Sequence, residues 1–412
     1  MTKVLIIGKT WPEPKTTGAG VRMMQLIDVF KNKGFEVIFC AAAAKTEYSE
    51  SLSTISTYTI KINDDEFNTL LTNLSPKVVI FDRFHTEEQF GWRVHEVLPE
   101  ALTILDTEDL HLLRYARQQL VKKKRCPYSE NEELDEIFKH EITFRELAAI
   151  HRCDMTLVIS TYEMELLKKL KVPIELLTWL PMNSSLPSLA NPNINFSTQK
   201  HFVFFGNYLH EPNKDALLCI NELFPSIRKF IHGAEIHIYG AYLPNNCIPK
   251  QHTGIFYHGW CENIQQVLSS ARVLIAPLRF GAGIKSKIIE AMRNGTPVAT
   301  TRIGTEGIAD KANFPGVVGD LDDTWIQETI SLYQSEEKWK SASTCALKAF
   351  EYWQLVCKKA DDVFVHKLDA LIQTLENHRN KNITRKILHL EQLKSYKYLS
   401  KYIIEKNKRR SN

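Results

Sequence analysis

The stretch Val273-Leu274-Ile275-Ala276-Pro277-Leu278-Arg279-Phe280-Gly281-Ala282-Gly283-Ile284-Lys285-Ser286-Lys287-Ile288-Ile289-Glu290-Ala291-Met292-Arg293-Asn294-Gly295-Thr296-Pro297-Val298 decides the fold. An apolar run of strand length ends at Pro277, two glycines make a turn, a helix opens at Ile284, and a second strand follows at Val298. Strand, glycine turn, helix, strand is the unit of a parallel sheet. A helix N-terminus presents unpaired N–H groups and the positive end of its dipole, so the turn is a candidate anion site. On a helical wheel Ile284, Ile288, Ala291 and Met292 form a buried arc that includes Lys285. A lysine on a buried arc in a first helical turn points to a bound anion. Glu290 lies off that arc, so periodicity alone makes it a solvated surface residue.

The same unit recurs in both directions. Upstream, Val4–Gly8, Val37–Cys40, Val78–Phe81, Leu102–Leu105 and Thr156–Ile159 are runs apolar on both faces and separated by helical or polar segments. The first helix is predicted from about Val21 to Lys33. After a Ser/Asn/Pro-rich stretch, the runs resume at Phe202–Phe205, Ile236–Tyr239, Ile255–Tyr257, Val273–Ala276, Val298–Thr300 and Val317–Val318, and beyond 322 the pattern is helical. Runs of this kind indicate parallel sheets covered on two sides. The expected architecture is α/β, two doubly wound Rossmann-like domains facing a cleft, with a helical basic C-terminal extension. The expected divisions are 1–185, a linker at 186–200, 201–340, helices packing back across the domains at 341–377, and a basic tail at 378–412.

Length and composition agree. The chain has 412 residues, 44% hydrophobic and 24% charged, which excludes disordered and fibrous classes and suits two domains. No apolar run reaches the length of a membrane span. The opening apolar run of four residues is too short for a signal-peptide core, so a cytoplasmic protein is expected. Eight cysteines at 40, 126, 153, 219, 247, 261, 345 and 357 are scattered without a CxxC pair and read as reduced and structural. The formal charge of +4 is unevenly spread. Residues 378–412 hold eleven Lys or Arg against Glu391 and Glu405, leaving the rest mildly acidic. Such a tail can meet an anionic membrane surface or remain a solvated helix; its apolar residues form no clean stripe. No folded nucleic-acid motif accompanies it. Lys122-Lys123-Lys124-Arg125 is a second basic cluster.

Two further glycine loops follow strands. Thr16-Thr17-Gly18-Ala19-Gly20-Val21-Arg22 joins the first strand to the first helix, and its glycines either approach a ligand or serve the turn. In Gly206-Asn207-Tyr208-Leu209-His210-Glu211-Pro212-Asn213-Lys214, Asn213 reads as an N-cap. Lys214 is either an anion contact or a solvated lysine. Arg302, Thr305 and Glu306, after Val298–Thr300, are either cleft contacts or turn residues.

The run from Gly206 to Gly307, about a quarter of the chain, resembles the C-terminal domain of retaining glycosyltransferases of family 4, which have the GT-B fold. Tyr257-His258-Gly259-Trp260 with Glu262-Asn263, then Ala271 to Pro277, then Gly281 to Pro297 with Gly304 to Gly307 carry the resemblance in order. Asp106-Thr107-Glu108-Asp109-Leu110-His111 extends it loosely into the N-terminal half. The resemblance implies that Gly259 and Trp260 lie beside the nucleotide base. Gly281, Gly283 and Ile284 would hold the diphosphate, and Glu290 would grip the ribose. Gly18, Gly20, Gly206, Asn207, Lys214, Thr305 and Glu306 complete the donor-side candidates. His111, against the transferred sugar, and Lys285, against the leaving diphosphate, are the candidates for the catalytic work.

The sequence departs from the family pattern in two places: the acid expected eight residues before Glu290 is Ala282, and Asn207 stands where many members have Arg. The implied reaction moves a sugar from a nucleotide diphosphate sugar to a hydroxyl on a glycan, lipid-linked or small-molecule acceptor. It proceeds with retention and without a metal or resident cofactor. Asp320-Leu321-Asp322 and the Asp106–Asp109 acids read as an N-cap and a loop rather than metal ligands. The competing readings are an inverting or otherwise different GT-B enzyme, or a catalytically silent sugar-nucleotide-binding protein of a polysaccharide assembly complex.

Overall fold

The computed structural model describes residues 2–124, 126–183, 194–243, 254–309 and 311–411. Thirteen strands are found among them, in two sheets. The first contains β1 (Lys3–Gly8), β2 (Glu36–Ala41), β3 (Ser56–Thr59), β4 (Val78–Asp82), β5 (Leu102–Asp106), β6 (Met155–Val158) and β7 (Leu177–Trp179). The second contains β8 (Lys200–Phe205), β9 (Ile236–Tyr239), β10 (Ile255–Gly259), β11 (Ala271–Ala276), β12 (Val298–Thr300) and β13 (Gly316–Val318). Their orders are β3-β2-β1-β4-β5-β6-β7 and β10-β9-β8-β11-β12-β13, and every pairing is parallel. Both are doubly wound, with the reversal beside β1 and beside β8. Ligand crevices in such sheets open at the carboxyl ends of the strands around that reversal.

The central strands match the apolar runs because both faces are covered: Val4, Leu5, Ile6 and Ile7 are fully buried. Two strands escape the apolar criterion. β3 is a polar edge strand, Ser-Thr-Tyr-Thr, exposed along its length. β7 has only three residues.

The C-terminal extension is helical, as Asp323–Gln334, Glu336–Lys381 with a kink at Thr374, and Ile383–Ser411. Asp322 caps the first of these through the Trp325 N–H at 2.9 Å, as the sequence suggested. The long second helix serves both sheets. Ala346, Phe350, Trp353 and Cys357 join the core of the second domain, whereas Phe364, Val365, Leu368, Leu371 and Leu375 join that of the first. Where it crosses between them, Trp353 Nε1 donates to the Met182 carbonyl at 3.1 Å.

The basic tail is packed, which its unpatterned wheel did not reveal. Arg379 and Arg385 both reach the buried Asp154, Lys397 pairs with Glu96, and His389 stacks on His95. Three of the tail's eleven basic residues therefore answer carboxylates of the first domain. Among the described residues no helix is long and apolar enough to cross a membrane. The described cysteines are free, with Cys40, Cys153, Cys219 and Cys357 buried. Cys247, Arg125 and most of the expected linker lie outside the described residues.

Candidate active site

Loops at the carboxyl ends of both sheets meet across the cleft. From the first domain come the residues after β5 and β6; from the second, those after β8, β11 and β12. One close approach is at Gly283, whose backbone is left-handed (φ 64°). A Cβ added there would stand 2.9 Å from the Asp109 Cβ and 3.1 Å from Ile159. Glycine is required here both for its dihedral and for the proximity of the opposite wall. The Gly281–Lys285 turn and the Asp106–His111 loop, singled out separately in the sequence, thus touch.

Helix Ser286–Arg293 begins two residues later than the wheel suggested, with Lys285 at its N-cap. It is also enclosed on nearly every side: Lys287, Ile288, Ile289, Ala291, Met292 and Arg293 are all buried. An arc-based reading fails for a helix surrounded by sheet, long C-terminal helix and opposite domain. Lys285 Nζ donates to the Gly283 carbonyl at 2.9 Å and lies 3.6 Å from Glu306 Oε2. Burial lowers its pKa, and Glu306 opposes the shift. Ile284 is buried beside it. Lys287, which the sequence reading passed over, is likewise buried. Its Nζ meets Asn213 Oδ1 at 2.6 Å and lies over the Phe204 ring. Burial alone pushes its ammonium down to about 7.

Glu290 is not a solvated surface residue. Its side chain is one-fifth exposed, Oε2 is buried without a hydrogen-bond partner, and burial raises its pKa against Arg293. A carboxylate oxygen left in this state invites a hydroxyl donor.

Glu306 is the most heavily engaged of the candidates. Arg117, fully buried on helix His111–Lys122, donates to both Glu306 oxygens at 2.7 Å, and also to the Gly281 carbonyl at 2.7 Å and Glu133 at 2.9 Å. Arg302 joins the group through Glu133 and the Tyr128 carbonyl. Such bidentate arginine–carboxylate pairing is geometrically specific as well as strong. Thr305 turns its hydroxyl back to the Arg302 carbonyl. A second carboxylate crosses the cleft: Glu163 Oε1 accepts the N–H of Gly283 and of Leu110, both at 2.8 Å. Burial, reinforced by Asp109, raises Glu163 to about 8. The Gly283 N–H is thus occupied. The N–H groups of Ala282 and Ile284 have no hydrogen-bond partner among the described residues.

His111 opens its helix with a buried ring, Nδ1 lying 3.2 Å from the Asp109 carbonyl and 3.5 Å from Glu146. Burial and then Arg114 hold it well below the ordinary imidazole range, against Asp109. The ring is therefore neutral at physiological pH, with Nε2 left as the acceptor when Nδ1–H faces the carbonyl.

The remaining candidates divide. Helix Gly18–Asn32 starts earlier than predicted because Thr17 caps it through the Gly20 N–H at 2.9 Å. Gly18 faces the other domain, where an added Cβ would lie 3.1 Å from Ser286 Oγ. Gly20 instead abuts the Glu13 backbone, at 2.3 Å for an added Cβ, so it serves the loop. Gly206 closes on the Asn213 amide, and Asn207 Oδ1 accepts the Leu209 N–H at 2.9 Å. Asn213 is not the N-cap but lies in the first turn of helix Glu211–Phe230, where His210 holds the N-cap position without a side-chain bond, because Pro212 suits the first turn. Lys214 pairs with Glu211 at 2.7 Å on the half-exposed side of that helix. Gly259 is left-handed at the end of β10 (φ 72°). Trp260, beyond it, meets Tyr48 of the first domain with ring centres 5.5 Å apart.

Arg117 and Glu163, like Lys287, are cleft residues that the sequence reading lacked. Each carries the signal that found Lys285. Arg117 shares a face with Leu113, Ala116 and Leu120, and Glu163 with Leu166 and Leu167, all buried or nearly so. A charge at apolar spacing was the available clue.

Residues 199–335 match the family model described as Glycosyl transferases group 1. A search of curated proteins by sequence finds no match. Solved structures similar to the chain include sucrose-phosphate synthase from Thermosynechococcus elongatus, at 12% identity and TM-score 0.65, covering 90% of this chain and 100% of that one. TarM from S. aureus, in a complex with UDP, has 10% identity and TM-score 0.63 over the same shares. Anabaena HepE in complex with UDP and glucose has 12% identity and TM-score 0.61, again over 90% and 100%. The architecture is therefore that of GT-B glycosyltransferases, and the Glycosyl transferases group 1 signature lies on its second domain.

Proposed function

We propose that the protein transfers a sugar from a nucleotide diphosphate sugar to a hydroxyl acceptor, with retention at the anomeric carbon. The observation that supports it best is the contact of the Gly281–Lys285 turn with the Asp106–His111 loop at the carboxyl ends of two parallel sheets. Around that contact lie two buried lysines, free N–H groups and a carboxylate oxygen lacking a donor. Charge developing on the leaving diphosphate would fall on the Ala282 and Ile284 N–H groups and on Lys285 and Lys287, which supply positive charge from the chain itself. The Glu290 oxygen, which makes no hydrogen bond and has only the Arg293 guanidinium 3.8 Å away, would take the ribose hydroxyls. Trp260 and Tyr48 would flank the base, and neutral His111 would accept a hydrogen bond from the transferred sugar.

The family-model match supports the reaction class, and similar structures hold UDP or UDP with glucose. The acceptor would enter from the first domain. The exposed face of helix Ile383–Ser411 carries Ile383, Ile387, Leu390, Tyr398 and Tyr402 among lysines and would rest weakly on an anionic membrane at the cytoplasmic side. Liposome co-sedimentation unchanged after mutating these residues would remove that part.

A thermal-shift screen with UDP, GDP and ADP sugars tests the donor reading, since a ligand stabilises the state that binds it. The anomeric configuration of the product, read by NMR, tests retention. Binding without transfer or hydrolysis across the panel would overturn the catalytic claim, and inversion the stereochemical one.

A further inference from the structure

At the far end of β8 and β9 from the cleft, imidazoles and a carboxylate converge on a sheet face. His201 lies in β8, Glu235 directly precedes β9, and His237 lies within it. The parallel register Phe202↔Ile236 and Val203↔His237 puts His201 beside Glu235 and on the same face as His237. His201 Nδ1 is 3.1 Å and His237 Nε2 3.5 Å from the same oxygen, Glu235 Oε2. The three atoms lie within 4.8 Å of one another. A tetrahedral zinc ion with bonds of about 2.0–2.1 Å spaces its ligands about 3.3–3.4 Å apart. Two sides of the triangle, at 3.1 Å and 3.5 Å, lie within about 0.3 Å of that spacing.

Two observations point to a ligand rather than a plain ion pair. His237 Nε2 is buried and makes no hydrogen bond among the described residues, although it faces the carboxylate. Its other nitrogen, Nδ1, lies 2.8 Å from His258 Nε2. When Nδ1–H donates to His258, the Nε2 lone pair is fixed toward Glu235, the outer-shell arrangement that orients metal-bound imidazoles. The ring lies parallel to Phe256, with centres 5.3 Å apart, and nearly coplanar with its hydrogen-bond partner His258, whose centre is 5.0 Å away.

We propose that His201 Nδ1, Glu235 Oε2 and His237 Nε2 bind one divalent transition ion of the zinc class, with His258 as the orienting partner and solvent completing the coordination. Two imidazoles select zinc-like ions over magnesium or calcium, which prefer all-oxygen sets. His201 stands five residues before Gly206, about 16 Å along an extended strand, whereas the orienting His258 directly precedes Gly259 and Trp260 of the donor side. The ion's effect would be to tie β8 to β9 and stiffen the edge of the second sheet.

The full chain, freed of metal by chelation and desalted, is titrated with Zn2+ by calorimetry and with Co2+ by visible absorption. One equivalent, the bands of four-coordinate Co2+ and a raised melting temperature are expected. His201→Ala/His237→Ala should lose the bands and the calorimetric equivalent while melting like the parent in chelator. Glu235→Gln provides a second variant should that one fold poorly. His258→Ala should keep the stoichiometry and weaken affinity about 10- to 100-fold. Absence of the Co2+ bands in the parent, or an equivalent that survives in the variants, overturns the site.

Discussion

Glu163 of the first domain holds the Gly283 N–H of the second at 2.8 Å, with the same oxygen that accepts the Leu110 N–H. One buried carboxylate therefore pins the glycine turn and the His111 loop together. Its pKa rises from the ordinary 4.5 to about 8. The folded state keeps a proton that the unfolded chain releases, so this contribution is complete below pH 4.5 and fades as pH rises through 8. Glu163→Gln retains the acceptor and removes the titration. In denaturant unfolding at a series of pH values, wild type should fall behind the variant between pH 5 and 8, by about 1–3 kcal/mol at the upper end. Parallel pH profiles would contradict the assignment.

Lys287 works in the opposite sense. Its folded pKa of about 7 lies below the unfolded 10.5, so stability rises with pH between these values, and at pH 7 and below the buried cation weighs fully on the fold. Lys287→Met should raise stability at pH 6–7 by about 1–3 kcal/mol and weaken nucleotide binding. If a diphosphate settles beside this lysine, binding near pH 7.5 takes up a proton. Calorimetry in buffers of different ionisation enthalpy would reveal the uptake, and buffer-independent heats would count against the placement.

Arg117 makes its bonds to Glu306, Glu133 and Gly281 with no exposure to water. Replacing it with Met leaves buried carboxylates uncompensated and should cost about 3–5 kcal/mol. Arg117→Met/Glu306→Gln should recover part of the loss, and the double-mutant cycle measures the coupling. Additive effects would show that the pair acts independently.

The two glycines of the first βα loop should separate. Gly20→Ala drives a methyl into the Glu13 backbone and should lower stability by about 1–3 kcal/mol. Gly18→Ala meets the Ser286 side chain, whose hydroxyl can rotate, and rests in ordinary contact with the Met182 sulfur. It should stay within about 0.5 kcal/mol of wild type while raising KM for the donor. Equal melting losses would refute the distinction.

The sheets were legible because parallel strands buried on two faces leave unbroken apolar runs, as in Val4–Ile7 and Val78–Phe81. The exceptions follow from the same physics: an exposed edge such as Ser56–Thr59 leaves no apolar run to read. At the site, Lys285 betrayed itself by apolar spacing, and Glu290 came only through resemblance, since periodicity placed it in water. Lys287 and Arg293 were hidden because helix Ser286–Arg293 is enclosed on nearly every side, so the wheel has no outward face to contrast with. The packing of the tail was hidden for a related reason. Arg379 and Arg385 count as surface charge until Asp154, more than two hundred residues earlier, is found beneath them.

The helix Glu336–Lys381 sets a timetable for the newborn chain. β1 and β2 leave the ribosome first, yet the Phe364–Leu375 side chains that complete their core are made more than three hundred residues later. During synthesis the first domain must wait with one flank open while the second is still being translated. A chaperone that shields apolar strands would find its client in that interval.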